Sequence, residues 1–355
     1  MFLTVNAGSS SIKVELFDAD LNGVLEGQVS EIGTPRASIR LGGDDVPCDA
    51  PDHDAAMGLI LTRLSDLGHL VDSFDAAGHR IVQGGADLTE PARLTDEVIA
   101  KIEACVPLAP LHNPANLAGI YALARLAPEL PQTASFDTAF HAQNPEVAIT
   151  YPLPKVERDR GLRRYGFHGL SYASLVEKLS EHGLPERVLA LHLGNGSSLC
   201  AIRGGRSVAT SMGYSPISGP PMGTRSGDVD AALVLDLAER HGTDGALRIL
   251  NKESGLKGLG GTNDMRTLLE DERAEARFAV EHFTYWVARQ AGSLIVAMGG
   301  VDAIAFTGGI GEHAEPVRDM ILARLDWLGA VPVHVVPADE ERQIARDAQR
   351  VLGHA

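Results

Sequence analysis

The first seventeen residues, MFLTVNAGSSSIKVELF (1–17), decide the fold that the sequence predicts. The apolar run from Phe2 to Val5 has the length of a strand, and the alternating apolar residues from Ile12 to Leu16 are typical of a second strand. Turn-forming residues lie between the two runs, so we expect a β-hairpin. Its bend would gather backbone N–H groups, serine hydroxyls and a lysine, which together can bind phosphate. An ordinary serine-rich turn has the same composition, because short motifs also match by chance.

A second copy of this pattern occurs near the middle of the chain. The segment VLALHLGNGSSLCAI (188–202) contains the tripeptide GSS at 196–198, as the first hairpin does at 8–10. A third glycine-rich turn, TGGIGE (307–312), follows the apolar run at 303–306. Two phosphate-type hairpins in the two halves, with a glycine turn that could admit an adenosine, predict a nucleotide cleft between duplicated domains.

Length and charge narrow the possible functions. The 355 residues are enough for two domains with separate cores, and the hydrophobic content of 44% is that of a soluble globular protein. A formal net charge of −16 argues against nucleic acid as a partner. No apolar run is long enough to cross a bilayer, so we expect a cytoplasmic protein without a membrane partner. The three cysteines Cys48, Cys105 and Cys200 have no pairing or metal-ligand spacing, which agrees with a reducing compartment.

Four residues stand out as candidates for binding anions or a metal–phosphate complex. In an acidic protein that binds phosphates, a few cationic side chains near the site must supply a local positive field. Arg80 lies at the end of a predicted strand, where open α/β sheets bind ligands, although a paired structural arginine is also possible there. Asp137 ends the next predicted strand and could cap a turn or manage a metal–phosphate complex. His168 stands among glycines, which favours a ligand-facing role, and Arg225 is the only cation of the Gly/Pro/Ser-rich loop 210–228.

Helical periodicity predicts the elements between these motifs. The predicted helices are 51–67, 94–106, 115–127, 230–241, 244–251, 274–298 and 338–352, with another starting at Ser171. We expect Asn113 to cap a helix and Pro114 to occupy its first position. Asp264 would open a further helix whose N–H groups can meet a nucleotide. Glu340 would lie in the first turn of the C-terminal helix, where the helix dipole alone also favours an acid.

Eight motifs resemble those of the acetate kinase family and occur in that family's order from end to end of the chain. They are NAGSSSIK (6–13), HRIVQGG (79–85), APLHNPAN (109–116), FDTAFH (136–141), RYGFHG (164–169), LHLGNGSS (191–198), MGTRSGD (222–228) and FTGGIGE (306–312). The resemblance implies the α/β fold of the acetate and sugar kinase, heat-shock chaperone and actin superfamily, with two duplicated ribonuclease-H-like domains and an interdomain nucleotide cleft. We expect residues 1–140 plus about 340–355 to form the N-terminal domain and residues 141–339 the nucleotide-binding domain.

The activity implied by the resemblance is reversible phosphoryl transfer between ATP and acetate, giving acetyl phosphate and ADP. The transfer would depend on Mg²⁺, with Mn²⁺ as a possible substitute, and the protein would be a homodimer. Acetate is already ionised at neutral pH, so the reaction needs no base to activate it. Asp137 is therefore better interpreted as organising magnesium and its water than as abstracting a proton.

The resemblance also implies roles for individual residues. The predicted metal ligands are Asn6 and Glu340, and the residues expected on the nucleotide phosphates are Ser9, Ser11 and Lys13. The predicted catalytic residues are Arg80, His112, Asp137, His168 and Arg225, of which Arg80 would also bind the substrate carboxylate. The acetyl methyl group would lie among Val82, Leu111, Phe167 and Pro216. The remaining nucleotide-binding residues would be His192, Leu193, Gly194, Asn195 and Gly196, then Asp264, Met265 and Arg266, and finally Gly309, Ile310, Gly311, Glu312 and His313.

The chain departs from the family pattern at several positions. None of these departures removes a charged group from the predicted site. Gln83 stands where the family usually has histidine, Pro220-Pro221 replaces a more aliphatic pair, Ala231 replaces proline and His313 replaces asparagine. The region 18–60 is also shorter than in typical members. Because a double proline stiffens the loop that carries Arg225, an altered rate or substrate range is possible.

Three alternatives stay open at this point. A kinase for propionate or another short acyl acid differs only in pocket size, and one methylene is worth roughly 1–3 kcal/mol. A non-catalytic, nucleotide-driven module of the actin or chaperone kind would not need Arg80, His168 and Arg225 together. A phosphoryl donor other than ATP, such as pyrophosphate, is disfavoured by the glycine turn at 308–311.

Overall fold

The structure is a computed structural model, and it describes residues 1–353. The strands, in chain order, are β1 (Phe2–Gly8), β2 (Ser11–Phe17), β3 (Gly23–Ser30), β4 (Ser38–Leu41), β5 (Val46–Pro47), β6 (Ala76–Ile81), β7 (Ala92–Arg93), β8 (Gln132–Phe136), β9 (Arg187–Leu193), β10 (Ser197–Arg203), β11 (Arg206–Thr210), β12 (Ala303–Thr307) and β13 (Val333–Val335). The helices are α1 (His53–Asp66), α2 (Asp96–Ala104), α3 (Asn113–Leu126), α4 (Glu146–Ile149), α5 (Lys155–Arg158), α6 (Gly169–Ser180), α7 (Ala231–Arg248), α8 (Gly255–Gly260), α9 (Met265–Glu270), α10 (Ala274–Met298), α11 (Gly308–His313), α12 (Glu315–Ala323) and α13 (Glu340–Val351).

The chain divides into two compact units. Residues 1–142 and the segment from Asp339 onward form the first unit, and residues 143–338 form the second. Each unit contains one sheet and its own apolar core. Among the helices of residues 1–353, none combines the length and apolar character that crossing a bilayer requires.

The first unit is built on the hairpin of the first seventeen residues. Strands β1 and β2 pair antiparallel, with Asn6 opposite Lys13 and Gly8 opposite Ser11, so the predicted hairpin is confirmed. The strand order of the sheet is β5-β4-β3-β2-β1-β6-β8-β7, in which β1, β6 and β8 run parallel. The carboxyl ends of these three strands therefore meet at one edge, where Asn6, Arg80 and Asp137 lie.

The second unit repeats this arrangement. Its strand order is β11-β10-β9-β12-β13, with β9 antiparallel to β10 and parallel to β12. The tight turn of the β9–β10 hairpin pairs Leu193 with Ser197, as predicted from the second glycine–serine motif. Each sheet thus has three antiparallel strands followed by two parallel ones, β3-β2-β1-β6-β8 in the first unit and β11-β10-β9-β12-β13 in the second. This duplicated α/β order confirms the predicted fold class.

Helices cover the sheets through apolar faces. In the second unit α10 supplies Phe283, Val287 and Ala291, all fully buried, to the main core. In the first unit α13 packs on β1, β6 and β8, although it is the last helix of the chain. Gly78 of β6 allows this contact, because a Cβ there would lie 2.7 Å from Ile344 Cγ2. The docking of α13 carries Glu340 to the strand ends of the first unit.

Two local predictions are wrong. Asn113 does not cap α3: His112 occupies the N-cap position, and the Asn113 side chain instead accepts a hydrogen bond from the Gln83 backbone N–H at 3.1 Å and donates to its carbonyl at 3.0 Å. These buried backbone groups follow β6 and need partners, which outweighs the capping preference. The second wrong prediction is the glycine turn after β12, which is instead the short helix α11. The chain enters this helix through Gly308 at φ +77°, where a Cβ would lie 2.8 Å from the Leu193 carbonyl oxygen.

Two phenylalanines on one helix test the assignment of the second core. Replacing the fully buried Phe283 by alanine should lower the free energy of unfolding by about 3–5 kcal/mol, because it removes a ring and leaves a cavity. Phe278, on the same helix and 54% exposed, is the matched control, and its replacement should cost less than about 1 kcal/mol. Chemical denaturation of the three proteins measures both values. Equal losses would contradict the placement of Phe283 in the core.

A buried histidine in β6 predicts acid sensitivity. His79 is 1% exposed and its Nε2 donates to Gln132 Oε1 at 2.7 Å. Burial lowers the pKa of His79 to about 4, while the Gln132 hydrogen bond opposes this shift. The unfolded chain, with an ordinary histidine pKa, gains a proton more readily, so this residue should lower stability progressively as pH falls from about 6.5 to about 4, by about 3 kcal/mol in total.

Urea titrations at several pH values can isolate this contribution. His79→Gln should lose less stability than the wild type across that pH range, because its buried side chain does not titrate. His241→Gln, at an exposed position of α7, should follow the wild-type curve. Parallel curves for wild type and His79→Gln would refute the assignment.

Candidate active site

The strand ends of the first unit gather a cluster of opposite charges around Arg80. Its Nη2 donates to Asp137 Oδ2 at 2.7 Å and its Nε to Asp137 Oδ1 at 3.3 Å. Its Nη1 lies 3.5 Å from Asn6 Oδ1, and its Nε lies 3.7 Å from Glu340 Oε2. The two-point contact with Asp137 fixes the plane of the guanidinium as well as its position. The structure thus brings together four of the predicted first-unit site residues.

Burial makes this cluster electrostatically unusual. The Asp137 side chain is 2% exposed, that of Glu340 16% and that of Arg80 21%. Burial would lower the pKa of Arg80, but the carboxylates of Asp137 and Glu340 outweigh it and raise that pKa. Burial also raises the pKa of Glu340 above its usual range, and Asp137 adds to the rise while Arg80 opposes it. Two carboxylates thus face one guanidinium, and an additional cation would be stabilised beside them.

The donor set of this cluster fits a magnesium ion. Asn6 and Glu340 offer an amide and a carboxylate oxygen, the hard ligands that Mg²⁺ prefers. Magnesium keeps several waters and substrate phosphate oxygens in its shell, so one or two protein ligands suffice. Within residues 1–353 no group of three His, Cys, Asp or Glu side chains forms a metal cage. The residues present therefore suit a metal that arrives with a phosphate ligand.

The β1–β2 turn carries the residues predicted to contact nucleotide phosphates. Ser9 is exposed and Ser11, the first residue of β2, is half-buried. Lys13 Nζ forms an ion pair with Glu341 Oε1 at 2.8 Å. The turn is fixed by His53, whose Nε2 donates to the Gly8 carbonyl at 2.7 Å. Sequence reasoning missed His53, because its distance from the turn along the chain gave no signal of contact.

The segment after β6 is held by two asparagines of α3. Asn113 binds the Gln83 backbone, as described above. Asn116 Oδ1 accepts from the Val82 N–H at 3.1 Å, and its Nδ2 donates to the Ala7 carbonyl at 2.7 Å. Asn116 thereby ties the end of β1 to the residues that follow Arg80. The sequence predicts for Asn113 only the capping role that the structure contradicts, and it predicts no role for Asn116. The spacing of three residues, which places both asparagines on one helix face, was the available signal.

The other predicted first-unit residues lie near the start of α3 and at the end of β6. Val82 is 9% exposed, His112 is half-buried at the N-cap of α3, and Leu111 is 55% exposed. Leu111 is thus available to a ligand, whereas Val82 offers only a small surface.

In the second unit His168 and Arg225 both face Gly196. A Cβ built on Gly196 would lie 3.1 Å from His168 Nε2 and 3.6 Å from Arg225 Nη1. A Cβ here would crowd the His168 ring and come into van der Waals contact with Arg225, so glycine leaves the space between the two side chains open. His168 adopts a left-handed conformation at φ +59° just before α6, an uncommon one for a residue other than glycine. The structure thus places two of the predicted catalytic residues, His168 and Arg225, beside the turn of the second hairpin.

The ring of His168 is held from two sides. It stacks on His192 with 4.3 Å between the ring centroids and 29° between the planes. Its Nδ1 lies 2.8 Å from Ser198 Oγ, and His192 Nδ1 lies 2.8 Å from Ser171 Oγ. Both imidazoles are thereby fixed in orientation next to the glycine turn.

The long loop 210–228 is built to support Arg225. Arg225 Nη1 donates to the Pro216 carbonyl at 3.1 Å, and Met222 N–H donates to the Arg225 carbonyl at 3.1 Å. Gly223 N–H donates to the carbonyl of Asn195, which joins the loop to the β9–β10 turn. Pro216, predicted near the acetyl methyl group, is half-buried. Phe167, predicted there as well, is only 1% exposed.

The predicted nucleotide-binding segments differ in what they can offer. Asn195 is exposed and accepts a hydrogen bond from Asn263 Nδ2 at 3.1 Å, and Asp264 caps α9 by accepting from Arg266 N–H at 3.0 Å. The side chains of Leu193 and Met265 belong to the core, so only their backbone atoms could contact a ligand.

The α11 segment is ordered by Glu312. Glu312 Oε1 accepts from the N–H groups of Gly308 and Ala338, both at 2.9 Å, so this side chain has a structural task. Ile310 packs against the core, whereas Gly309 and His313 are exposed. The exposed residues are the better candidates for contact with a nucleotide.

Comparison with known proteins identifies the family of this chain. The model of the Acetokinase family matches residues 1–351. The acetate kinase of Bacillus subtilis (strain 168) is 40% identical, with 98% of each chain covered, and the propionate kinase of Citrobacter rodentium (strain ICC168) is 41% identical, with 98% of this chain and 96% of the relative covered. The crystal structure of Porphyromonas gingivalis acetate kinase superposes with a TM-score of 0.92 at 36% identity, covering 99% of both chains. With two duplicated α/β units and a family match across nearly its whole length, this chain belongs to the acetokinase family.

Proposed function

We propose that the protein is an acetate kinase, which transfers the terminal phosphoryl group of ATP to acetate and forms acetyl phosphate and ADP reversibly. The observation that carries this proposal is the convergence of His168 and Arg225 on Gly196, in the turn of the second phosphate-type hairpin. A module that only binds a nucleotide does not need two such groups at one turn. Membership of the acetokinase family and the naming of relatives at about 40% identity as acetate kinases support the same activity.

We assign the binding of acetate to Arg80. Its guanidinium is oriented by Asp137 and carries a permanent positive charge, which suits a carboxylate or the phosphoryl group of acetyl phosphate. The apolar residues predicted for the methyl group of acetate differ in exposure: Leu111 and Pro216 present surface to a ligand, whereas Val82 and Phe167 are almost fully buried. Asp137 acts by holding Arg80 and does not abstract a proton, because acetate is already ionised at neutral pH.

Enzymes catalyse phosphoryl transfer mainly by positioning the reactants and by stabilising the charge of the transition state. His168 and Arg225 donate hydrogen bonds to the transferring group, where charge is spread over its oxygens. Asn6 and Glu340 would hold Mg²⁺, which supplies charge neutralisation at the phosphate oxygens when it is bound. His112 lies at the N-cap of α3. We assign it a supporting catalytic role on the side of the transferring phosphoryl group that faces acetate.

The nucleotide is bound through backbone and small polar groups from several segments. Ser9, Ser11 and Lys13 contact its phosphates. Contacts to the rest of the nucleotide come from 192–196, from Asp264 to Arg266 and from 309–313. We take the two compact units as the two ribonuclease-H-like domains; the homodimer and the cytoplasmic location stay predictions.

A propionate kinase is the second candidate. The relative from Citrobacter rodentium that is named a propionate kinase is as similar to this chain as the acetate kinases are. The two candidates differ in whether the acyl pocket has room for one more methylene. Binding one methylene contributes roughly 1–3 kcal/mol.

Hydroxylamine trapping tests the function and separates these candidates. The protein is incubated with Mg²⁺, hydroxylamine, acetate or propionate, and ATP or pyrophosphate, and acyl hydroxamate is measured. We expect product from ATP with acetate and a higher kcat/KM for acetate than for propionate. A higher value for propionate would reassign the substrate, and no product from any combination at high protein concentration would refute the kinase.

Substitution of Arg225 tests the catalytic cluster of the second unit. Arg225→Ala should lower kcat by about 10³-fold or more, because it removes a cation from the transferring group. Arg225→Lys should recover only part of this loss, since the planar fork is missing. Arg203→Ala is the matched control, because Arg203 is exposed in the same unit and pairs with Glu186 at 3.4 Å. An active, folded Arg225→Ala protein would remove this arginine from the mechanism.

A further inference from the structure

The segment that carries His168 and the loop that carries Arg225 meet at one backbone carbonyl. The Gly213 carbonyl, near the start of that loop, accepts hydrogen bonds from the N–H groups of Tyr165 at 3.0 Å and Gly166 at 3.3 Å. Both donors lie within three residues of His168 in the chain. The position of this junction therefore relates the two predicted catalytic side chains of the second unit.

Tyr151 and Arg164 hold the backbone at this junction. Tyr151 Oη accepts a hydrogen bond from the Tyr214 N–H at 3.0 Å. The guanidinium carbon of Arg164 lies 4.9 Å from the centre of the Tyr151 ring, which is the geometry of a cation–π contact. The Arg164 N–H donates to the Ile149 carbonyl at 2.8 Å, and this bond joins the two chain segments that supply the pair.

Gly213 lets the Tyr151 hydroxyl reach the backbone of the loop. Gly213 is buried, and a Cβ built on it would clash with Tyr151 Oη and lie 3.4 Å from Arg164 Nη1. The ring of Tyr214 also lies beside that of Tyr165, with 6.2 Å between the ring centroids. The Gly213–Tyr214 backbone is therefore enclosed by side chains of the segment that leads to the catalytic histidine.

The same stretch of the loop anchors the side chain of Arg225. Pro216 lies two residues after Tyr214, and its carbonyl accepts a hydrogen bond from Arg225 Nη1 at 3.1 Å. Residues 211–230 lie between β11 and α7 and form neither a helix nor a strand in the described structure. A stretch without a regular hydrogen-bond ladder keeps its position through individual contacts, such as that of the Tyr151 hydroxyl. A shift of the Tyr214 backbone would therefore move the anchor of Arg225.

We propose that Tyr151 and Arg164 are positioning residues, which place Arg225 beside His168 by fixing the loop stretch 213–216. This inference deepens the proposed function, because it rests on the catalytic roles given there to His168 and Arg225. Hydrogen-bond donors that are held in place before the reaction stabilise the transition state without having to reorganise. Tyr151 and Arg164 thus contribute to kcat through the loop, without contacting the substrate.

Removal of the Tyr151 hydroxyl tests this proposal by steady-state kinetics. Tyr151→Phe deletes the acceptor of the Tyr214 N–H and keeps the ring that Arg164 covers. We expect kcat to fall about 5-fold with KM for ATP unchanged, because one fixing hydrogen bond is lost while the ATP-binding groups stay in place. Arg164→Lys should lower kcat in the same way, since lysine lacks the planar guanidinium.

Amide hydrogen exchange measures the position of the loop without turnover. The Met222 N–H donates to the Arg225 carbonyl, so it reports on the Arg225 end of the loop. In Tyr151→Phe the amides of both Tyr214 and Met222 should exchange faster than in the wild type. The matched control is Tyr285→Phe, because Tyr285 is exposed in the same unit and has the Arg324 guanidinium carbon 5.8 Å from its ring centre. This control should change neither kcat nor the exchange of the two amides.

The two measurements separate positioning from a purely structural role. A structural hydrogen bond would lower the free energy of unfolding and leave kcat of the folded protein unchanged, so a folded Tyr151→Phe protein with wild-type kcat would overturn the proposal. Unchanged exchange at Met222 would also overturn it, because the loss would then stay local to Tyr214. If Tyr151→Phe fails to fold, Arg164→Lys decides by the same two measurements. A wild-type protein that forms no acetyl phosphate would refute the proposed function, while exchange at Met222 would still show whether Tyr151 fixes the loop that carries Arg225.

Discussion

The ion pair between Arg80 and Asp137 is the interaction on which the first unit's site depends. Asp137 is buried at the end of β8 and can be kept there only because Arg80 neutralises it through two hydrogen bonds. The same contact orients the guanidinium at the edge where β1, β6 and β8 end. Docking of α13 adds Glu340, so that a surplus of negative charge collects around one arginine. That surplus of negative charge would stabilise a cation bound beside the cluster, as the proposed magnesium site requires.

The second unit uses the same architecture for a different task. Its β9–β10 hairpin has the glycine turn of the first hairpin, but this turn meets a histidine and an arginine. Gly196 is the point where both groups approach, and the absence of a side chain leaves room for a ligand atom. Loop 210–228 looks irregular in sequence, yet a backbone hydrogen bond from Gly223 to Asn195 ties it to the β9–β10 turn. Duplication thus supplied two phosphate-type turns, and the residues around each turn distinguish their roles.

Local sequence predicted the parts of this structure that local physics determines. Both hairpins followed from alternating apolar residues and glycine–serine turns, and α13 followed from its periodicity. The contacts of His53, Asn113 and Asn116 could not be predicted, because each joins residues 30 or more positions apart. Asn113 illustrates the reason: a capping preference of about 1 kcal/mol was outweighed by the cost of leaving buried backbone groups unpaired. The Arg80–Asp137 pair was predicted as two candidates but not as a contact, since side-chain register requires the folded sheet.

The most direct test of the account is the turnover of Asp137→Asn in the direction that forms ATP from ADP and acetyl phosphate. Asparagine keeps the shape of aspartate but removes the charge that holds Arg80. The account predicts a fall in kcat of about 10²-fold in a protein that still folds, because the guanidinium loses its fixed orientation. Wild-type kcat and KM in the folded variant would contradict it, since Arg80 would then act without its partner.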